Sequence, residues 1–158
     1  MRMRRPVLTS GENMASDQNH VIDDVLRMKV VAVVGLSSDP SKASHDVAQY
    51  LQAHGYRIVP VNPTVAEVLG EKSYSSLLDL PEDLKKNIEV VDIFRRAEDV
   101  SPIVKEAIEL HDRFGYPKAV WMQLGIVNEA AAQRAREAGL MVVMDSCMKI
   151  EHAKRAPP

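Results

Sequence analysis

The chain is poor in the residues that most often announce a chemistry. It has one cysteine, Cys147, in 158 residues, which excludes an internal disulfide framework and any paired-cysteine metal or redox centre. Its five histidines, His20, His45, His54, His111 and His152, are scattered. No HExxH or other ligand-spaced group occurs, so no metal site is expected. A GxSxG elbow and a P-loop signature are both missing, which sets aside the serine-hydrolase and P-loop readings. No two carboxylates stand out as an acid/base couple, so no catalytic residue is expected. No apolar run approaches the ~20 residues that cross a bilayer. The basic start MRMRR is not followed by the apolar stretch of a secretory signal. The net charge of −2 draws the chain neither to nucleic acid nor to an anionic membrane. An anionic ligand must then be held by a local cluster of cations and backbone dipoles. These absences point to a cytoplasmic protein with a single core.

What is present alternates. Residues 1–19 are polar and are expected to form a disordered tail, and residues 154–158 a frayed end, with the folded domain over residues 20–153. After a short helix-like stretch near His20–Arg27, apolar and largely β-branched runs fall at Val30–Val34, Arg57–Val61, Ile88–Phe94, Lys118–Met122 and Leu140–Met144. Helix-like segments lie between them at Ser44–His54, Ser101–Phe114 and Asn128–Ala138, with a last one from Met148. Ser101 predicts an N-cap with Pro102 at the first helical position, Asn128 a second cap, and Gly115 and Gly139 two helix stops. Strands that are apolar throughout are buried on both faces, and parallel strands need crossover helices. The expected fold is therefore α/β: a Rossmann-like, doubly wound, mostly parallel five-stranded sheet with helices on both faces. Ligands of such sheets bind beyond the carboxyl ends of the strands, at the switch point.

Four loops meet there. The first runs from Gly35 to Ser44 and offers the hydroxyls of Ser37, Ser38, Ser41 and Ser44, the Lys42 ammonium and the amides of a helix start, a set suited to phosphate oxygens. Each serine also has a purely structural reading as a helix cap. Asp39 opposes an anion and is expected on the outer rim or as a local cap. The second loop argues against a nicotinamide dinucleotide. Its strand ends Val59-Pro60-Val61-Asn62-Pro63, without the carboxylate that reads the ribose hydroxyls, and Ser37 and Pro40 stand where GxGxxG has its second and third glycines. In the third loop Arg95 and Arg96 either pin a phosphate or pair with Glu98 and Asp99. In the fourth, Gln123 to Gly125 either lies along an amide-bearing arm or satisfies backbone groups beside a core Trp121.

Across residues 28–153 the chain resembles the small stand-alone CoA-binding proteins, relatives of the CoA-binding domain of the succinyl-CoA synthetase α subunit. The matching stretches are VVGLSSDPSKASHDVAQYLQAHGY, IVPVNP, VLGEKSYSSLLDLP, VVDIFRR and VWMQLGIVNEAAAQRAREAGLMVVMDSCMKIEH. The resemblance implies a coenzyme A site in which Gly35, Ser37, Ser38 and Lys42 lie along the diphosphate and 3′-phosphate. It further sets Asn62 and Pro63 against the nucleotide, and Phe94, Arg95, Gln123 and Gly125 along the remainder. Ser146 stands where the family commonly has an arginine before the cysteine, which removes a cation. The synthetase's phosphohistidine belongs to a separate domain, so ligase activity is not expected. The expectation is a protein that holds coenzyme A or a short acyl-CoA without chemistry of its own, as a homodimer or with an unidentified protein partner. The alternatives are an enzyme acting on an acyl-CoA thioester through Cys147 or His45, and a nicotinamide-dependent reductase.

Overall fold

The computed structural model describes residues 10–156, with side chains from residue 18 onward. In chain order the elements are α1 (Ser10–Leu26), β1 (Val30–Val34), α2 (Ala43–Ala53), β2 (Arg57–Val61) and a small hairpin of β3 (Glu67–Val68) and β4 (Glu71–Lys72). They continue with α3 (Glu82–Lys85), β5 (Val90–Ile93), α4 (Val100–Phe114), β6 (Ala119–Met122), α5 (Glu129–Glu137), β7 (Met141–Val143) and α6 (Met148–Arg155). Five strands form one sheet in the order β2-β1-β5-β6-β7, every pair parallel. The chain leaves β1 toward one edge and returns on its other side, so the switch point lies between β1 and β5.

The apolar runs explain the layering. Along β1, Val31 and Val33 pack with Ile22 and Val25 of α1, Val47 and Leu51 of α2 and Met148 of α6. The alternate residues Ala32 and Val34 pack with Leu84 of α3, Val104 and Leu110 of α4 and Ala131 and Ala135 of α5. Both faces of the sheet are thus covered, which a strand without polar alternation requires. Trp121 on β6 is fully buried and its indole Nε1 donates to the Ser146 carbonyl at 2.7 Å, so the core reading of that residue holds.

Three boundaries differ from expectation. The chain is already helical from Ser10, ahead of the expected boundary at 20. Gln18 anchors that helix, donating from Nε2 to the Met144 carbonyl (3.2 Å) and accepting from the Met144 N–H (3.3 Å). Residues 1–9 of the expected tail lie outside the described residues. At the other end α6 carries helix through Lys154 and Arg155, placed above in a frayed end. The Arg155 guanidinium reaches Asp23 at 2.5 Å and Glu151 at 3.2 Å; residues 157–158 lie outside the described residues. Ser101 is not an N-cap: a 3-10 turn at Ala97–Asp99 leads into a helix that starts at Val100 with Asp99 as its N-cap, two residues earlier. The Ser101 hydroxyl instead accepts from Arg134 (2.9 Å) and Asn128 (3.3 Å). Asn128 does cap α5, accepting from the Ala131 N–H at 3.0 Å.

One polar residue interrupts the apolar strands. Asp92 on β5 sits between Val33 and Trp121 in the sheet register, is fully buried, and neither carboxyl oxygen has a partner among the described residues. Burial pushes its pKa well above the ordinary carboxylate value of 3.8, because desolvation penalises the charged form. A folded pKa above the unfolded one means that the folded state holds the proton longer. Stability is then fully present below the unfolded pKa and is lost as pH rises toward the folded one. Urea unfolding across a pH series is expected to show this loss from about pH 4 upward, at about 1.4 kcal/mol per pH unit until the buried carboxyl ionises. The uncharged variant Asp92→Asn is expected to lack that slope; a wild-type curve parallel to the variant's refutes the assignment.

Candidate functional site

At the switch point β1 ends on Gly35, whose backbone has φ = +90°. A Cβ there would fall inside the Phe94 carbonyl oxygen and 3.3 Å from the Arg95 Nε. Only a residue without a side chain lets the first loop come this close to β5. The loop is tied back by Gly35 N–H to the Val61 carbonyl at 2.8 Å and by Phe94 N–H to the Val34 carbonyl at 2.9 Å. Three of the four strand-end loops are thereby locked to one another.

The first loop leads into α2 through Lys42, an extended N-cap that gives no side-chain cap. The first N–H groups of a helix have no intrahelical acceptor, so the positive end of α2 is left open toward the loop. Lys42 is exposed and forms no ion pair among the described residues. The loop serines divide. Ser44 is buried, and its hydroxyl accepts from the Ser37 N–H at 3.0 Å. The Ser37 hydroxyl accepts from the Asp39 N–H at 3.0 Å, and Ser41 donates to Asp39 at 2.8 Å. Ser38 is exposed with no such bond among the described residues. Ser37 and Ser44 each accept within the loop, yet each keeps a hydroxyl proton to donate. Asp39 is exposed, and its carboxyl accepts from the Ser41 N–H at 2.9 Å. The Ser41 N–H and hydroxyl hold its carboxyl below the usual range.

The second loop turns its polar atoms inward. Asn62 is buried, donates from Nδ2 to the Leu36 carbonyl (2.9 Å) and accepts from the Thr64 N–H (3.0 Å) and hydroxyl (2.8 Å). It braces the first loop and leaves no free amide hydrogen-bonding oxygen for a ligand. Pro63, beside it, lines a cavity of about 200 Å³ with Arg95, Val61 and Leu77. Phe94 is half-buried against the α1/α2/α6 layer, and the two arginines part company. Arg95 overhangs Gly35, whereas Arg96 pairs with Glu98 (3.5 Å) and Asp99 (3.1 Å).

In the fourth loop Gln123 is buried, and its Oε1 accepts from the Met148 N–H at 3.2 Å. It therefore serves the first turn of α6, the backbone-satisfying reading of that residue. The Gly125 N–H donates to Asp145 at 2.7 Å, fixing that turn to the loop after β7. His45 is buried with Nδ1 unpartnered among the described residues, and Cys147 is the partly buried N-cap of α6. Neither side chain has a hydrogen bond or ion pair to an acid or base among the described residues. Three residues of the cavity rim, Ser75, Ser76 and Glu106, escaped the sequence reading. Two serines and a helical glutamate carry no pattern beyond that of an ordinary surface.

A larger cavity of about 740 Å³ lies at the opposite edge of the sheet, lined by Lys29, His54, His152 and Arg155. It is the poorer anion site. The C-termini of α1, α2 and α6 converge there with their negative dipole ends, and Arg155 is already held by Asp23 and Glu151. No group of three or more His, Cys, Asp or Glu side chains among the described residues is arranged to hold a metal. No helix among them is long and apolar enough to cross a membrane.

Comparison with known proteins gives the chain's family and fold relatives. The family described as CoA binding domain matches residues 29–153, and the chain belongs to it. The uncharacterized protein YneT of Bacillus subtilis is 42% identical over 127 residues, which is 80% of this chain and 87% of that one. A solved hypothetical protein from Pyrococcus horikoshii superimposes with a TM-score of 0.77 at 38% identity, covering 98% of both chains. The α subunit of an ADP-forming acetate–CoA ligase II from Pyrococcus furiosus is 33% identical over 72 residues, 45% of this chain but only 16% of the subunit.

The close approach at Gly35 has a measurable cost. Gly35→Ala is expected to lose at least about 2 kcal/mol of stability in chemical denaturation. Gly55→Ala, at nearly the same φ of +89° but with nothing within 4 Å, is expected to lose about 1 kcal/mol. Equal losses in the two would show that crowding against Phe94 is not what requires glycine.

Proposed function

We propose that the protein binds coenzyme A or a short acyl-CoA at the carboxyl edge of its sheet and performs no chemistry on it. The observation that carries this reading is the pair of cations at the switch point. Lys42 stands at the open N-terminus of α2 and Arg95 above Gly35, and neither forms an ion pair among the described residues. A diphosphate with an added 3′-phosphate monoester brings several negative charges at neutral pH. Backbone N–H groups, hydroxyl donors and two uncommitted cations are what such a ligand needs. The end of β2 supports the same choice, since Asn62 stands where a nicotinamide site has its ribose-reading carboxylate.

Within that cradle Lys42 and Arg95 would neutralise phosphate charge, while the Ser37, Ser38 and Ser44 hydroxyls would donate to phosphate oxygens. Phe94 and Pro63 would border the nucleotide. Gln123 and Gly125 would act indirectly, holding the loop beneath which the amide arm runs. The site's chemistry favours binding alone: His45 faces the interior, and Cys147 is hydrogen-bonded to no general base among the described residues. Coenzyme A would supply its thiol as an acyl carrier; the protein's part is to hold and orient it. The ligase relatives, of which this chain matches only a fraction, fit a module that presents coenzyme A to chemistry housed elsewhere.

Isothermal titration is expected to detect coenzyme A binding that Lys42→Ala weakens by about 1.5–3 kcal/mol, the worth of a hydrogen bond to a charged group. An unchanged affinity removes Lys42 from the phosphate site. Incubation with acetyl-CoA is expected to release no thiol beyond the uncatalysed rate; turnover would establish an enzyme instead.

A further inference from the structure

The small cavity beside the cradle has a chemical character of its own. It is set between the ends of β1 and β2 and the first turns of α4, walled by Val34, Val61, Leu77 and Ile103. Arg95 stands at one side and Glu106 at another. Its volume of about 200 Å³ is below that of a site for a whole drug-sized ligand and suits one planar ring system.

Glu106 is the anomaly. It is partly buried and joins no ion pair among the described residues. Burial, with Asp79 and Glu109 nearby, raises its pKa above the ordinary value. A carboxylate beside an apolar hollow repels phosphate, and no cation pairs with this one among the described residues, Arg95 standing at the other side of the cavity. The unmet demand is for a neutral N–H donor.

We infer that Glu106 selects the base of the bound nucleotide, its free carboxylate oxygen accepting the exocyclic amine of a 6-aminopurine seated between Val61 and Ile103. The inference rests on the coenzyme A reading above and adds the group that reads the base. Arg95 links the two parts of the site, since it both overhangs Gly35 and borders the cavity. A phosphate held at Arg95 would leave the attached nucleoside at the cavity mouth. A 6-oxopurine would set its carbonyl oxygen against the carboxylate, lone pair to lone pair. Glutamine at this position accepts through its oxygen and donates through its nitrogen, so it would serve either base.

Titration of adenosine 3′,5′-bisphosphate and inosine 3′,5′-bisphosphate tests the idea, with coenzyme A itself as the reference. The wild-type protein is expected to favour the adenine compound by about tenfold or more, the lower end of a hydrogen bond to a charged group. Glu106→Gln is expected to bring the two within about threefold, with the thermal melting curve of the free protein unchanged. Coenzyme A binding with an adenine preference that Glu106→Gln leaves intact overturns the inference and spares the broader reading. Absence of coenzyme A binding overturns both. If 4′-phosphopantetheine, but not adenosine 3′,5′-bisphosphate, shifts the NMR signals of Ile103 and Leu77, the cavity belongs to the arm and the inference fails.

Discussion

The contact between Gly35 and the Phe94 carbonyl is the constraint on which the site depends. In a parallel sheet the strands run together, and their carboxyl ends diverge only where successive crossovers go to opposite sides. Here that divergence falls between β1 and β5. The missing Cβ at Gly35 lets the first loop lie against the second side of the divide. Gly35 N–H to Val61 and Phe94 N–H to Val34 then fix three loops as one body. Move the loop outward by the radius of a methyl group, and the open end of α2 no longer shares a hollow with Arg95.

Much of the polar machinery at this edge builds the site without facing a ligand. Asn62, Ser44, Gln123 and Asp145 all spend hydrogen bonds on neighbouring backbone: Asn62 on Leu36, Ser44 on Ser37, Gln123 on Met148 and Asp145 on Gly125. Loops at the end of a sheet carry backbone groups that no ladder satisfies. Side chains that satisfy them also set loop shape, which is why residues of binding type are frequently scaffolding. The groups left over among the described residues, Lys42, Arg95, Ser38 and Glu106, are open to a ligand or solvent.

Sequence alone conveyed the sheet and its winding because the information is periodic. Five largely apolar runs separated by amphipathic segments admit few other arrangements, and glycine marked the switch point. It did not separate Arg95 from Arg96, which are chemically identical and differ only in which side of β5's end they leave. Nor did it separate Asn62 the ligand from Asn62 the brace, since both uses need the same amide. The early start of α1 was hidden because SGENMASDQNH is polar and gains its order from Gln18 reaching β7, a contact between residues 126 apart. Glu106 was invisible for a related reason. Its cavity is assembled from β2, α4 and the turn at Leu77, and none of the three is unusual by itself.

A slightly acidic chain that receives a polyanion must solve a problem of local field. Six acidic side chains around the carboxyl edge are engaged one by one. Asp39 is held by Ser41, Asp46 by Lys149 at 2.8 Å, Asp79 by Ser75, Asp145 by the Gly125 N–H, and Glu98 and Asp99 by Arg96. Exposed pairs of this kind add little to stability. Their effect is on the potential: Glu106 apart, these carboxylates are bonded locally, and among the described residues Lys42 and Arg95 stand without an ion pair beside the positive end of α2. Net charge is then a poor guide to what binds. An anion approaching this edge meets hydrogen-bond donors and unpaired positive charge, although the molecule as a whole would weakly repel it.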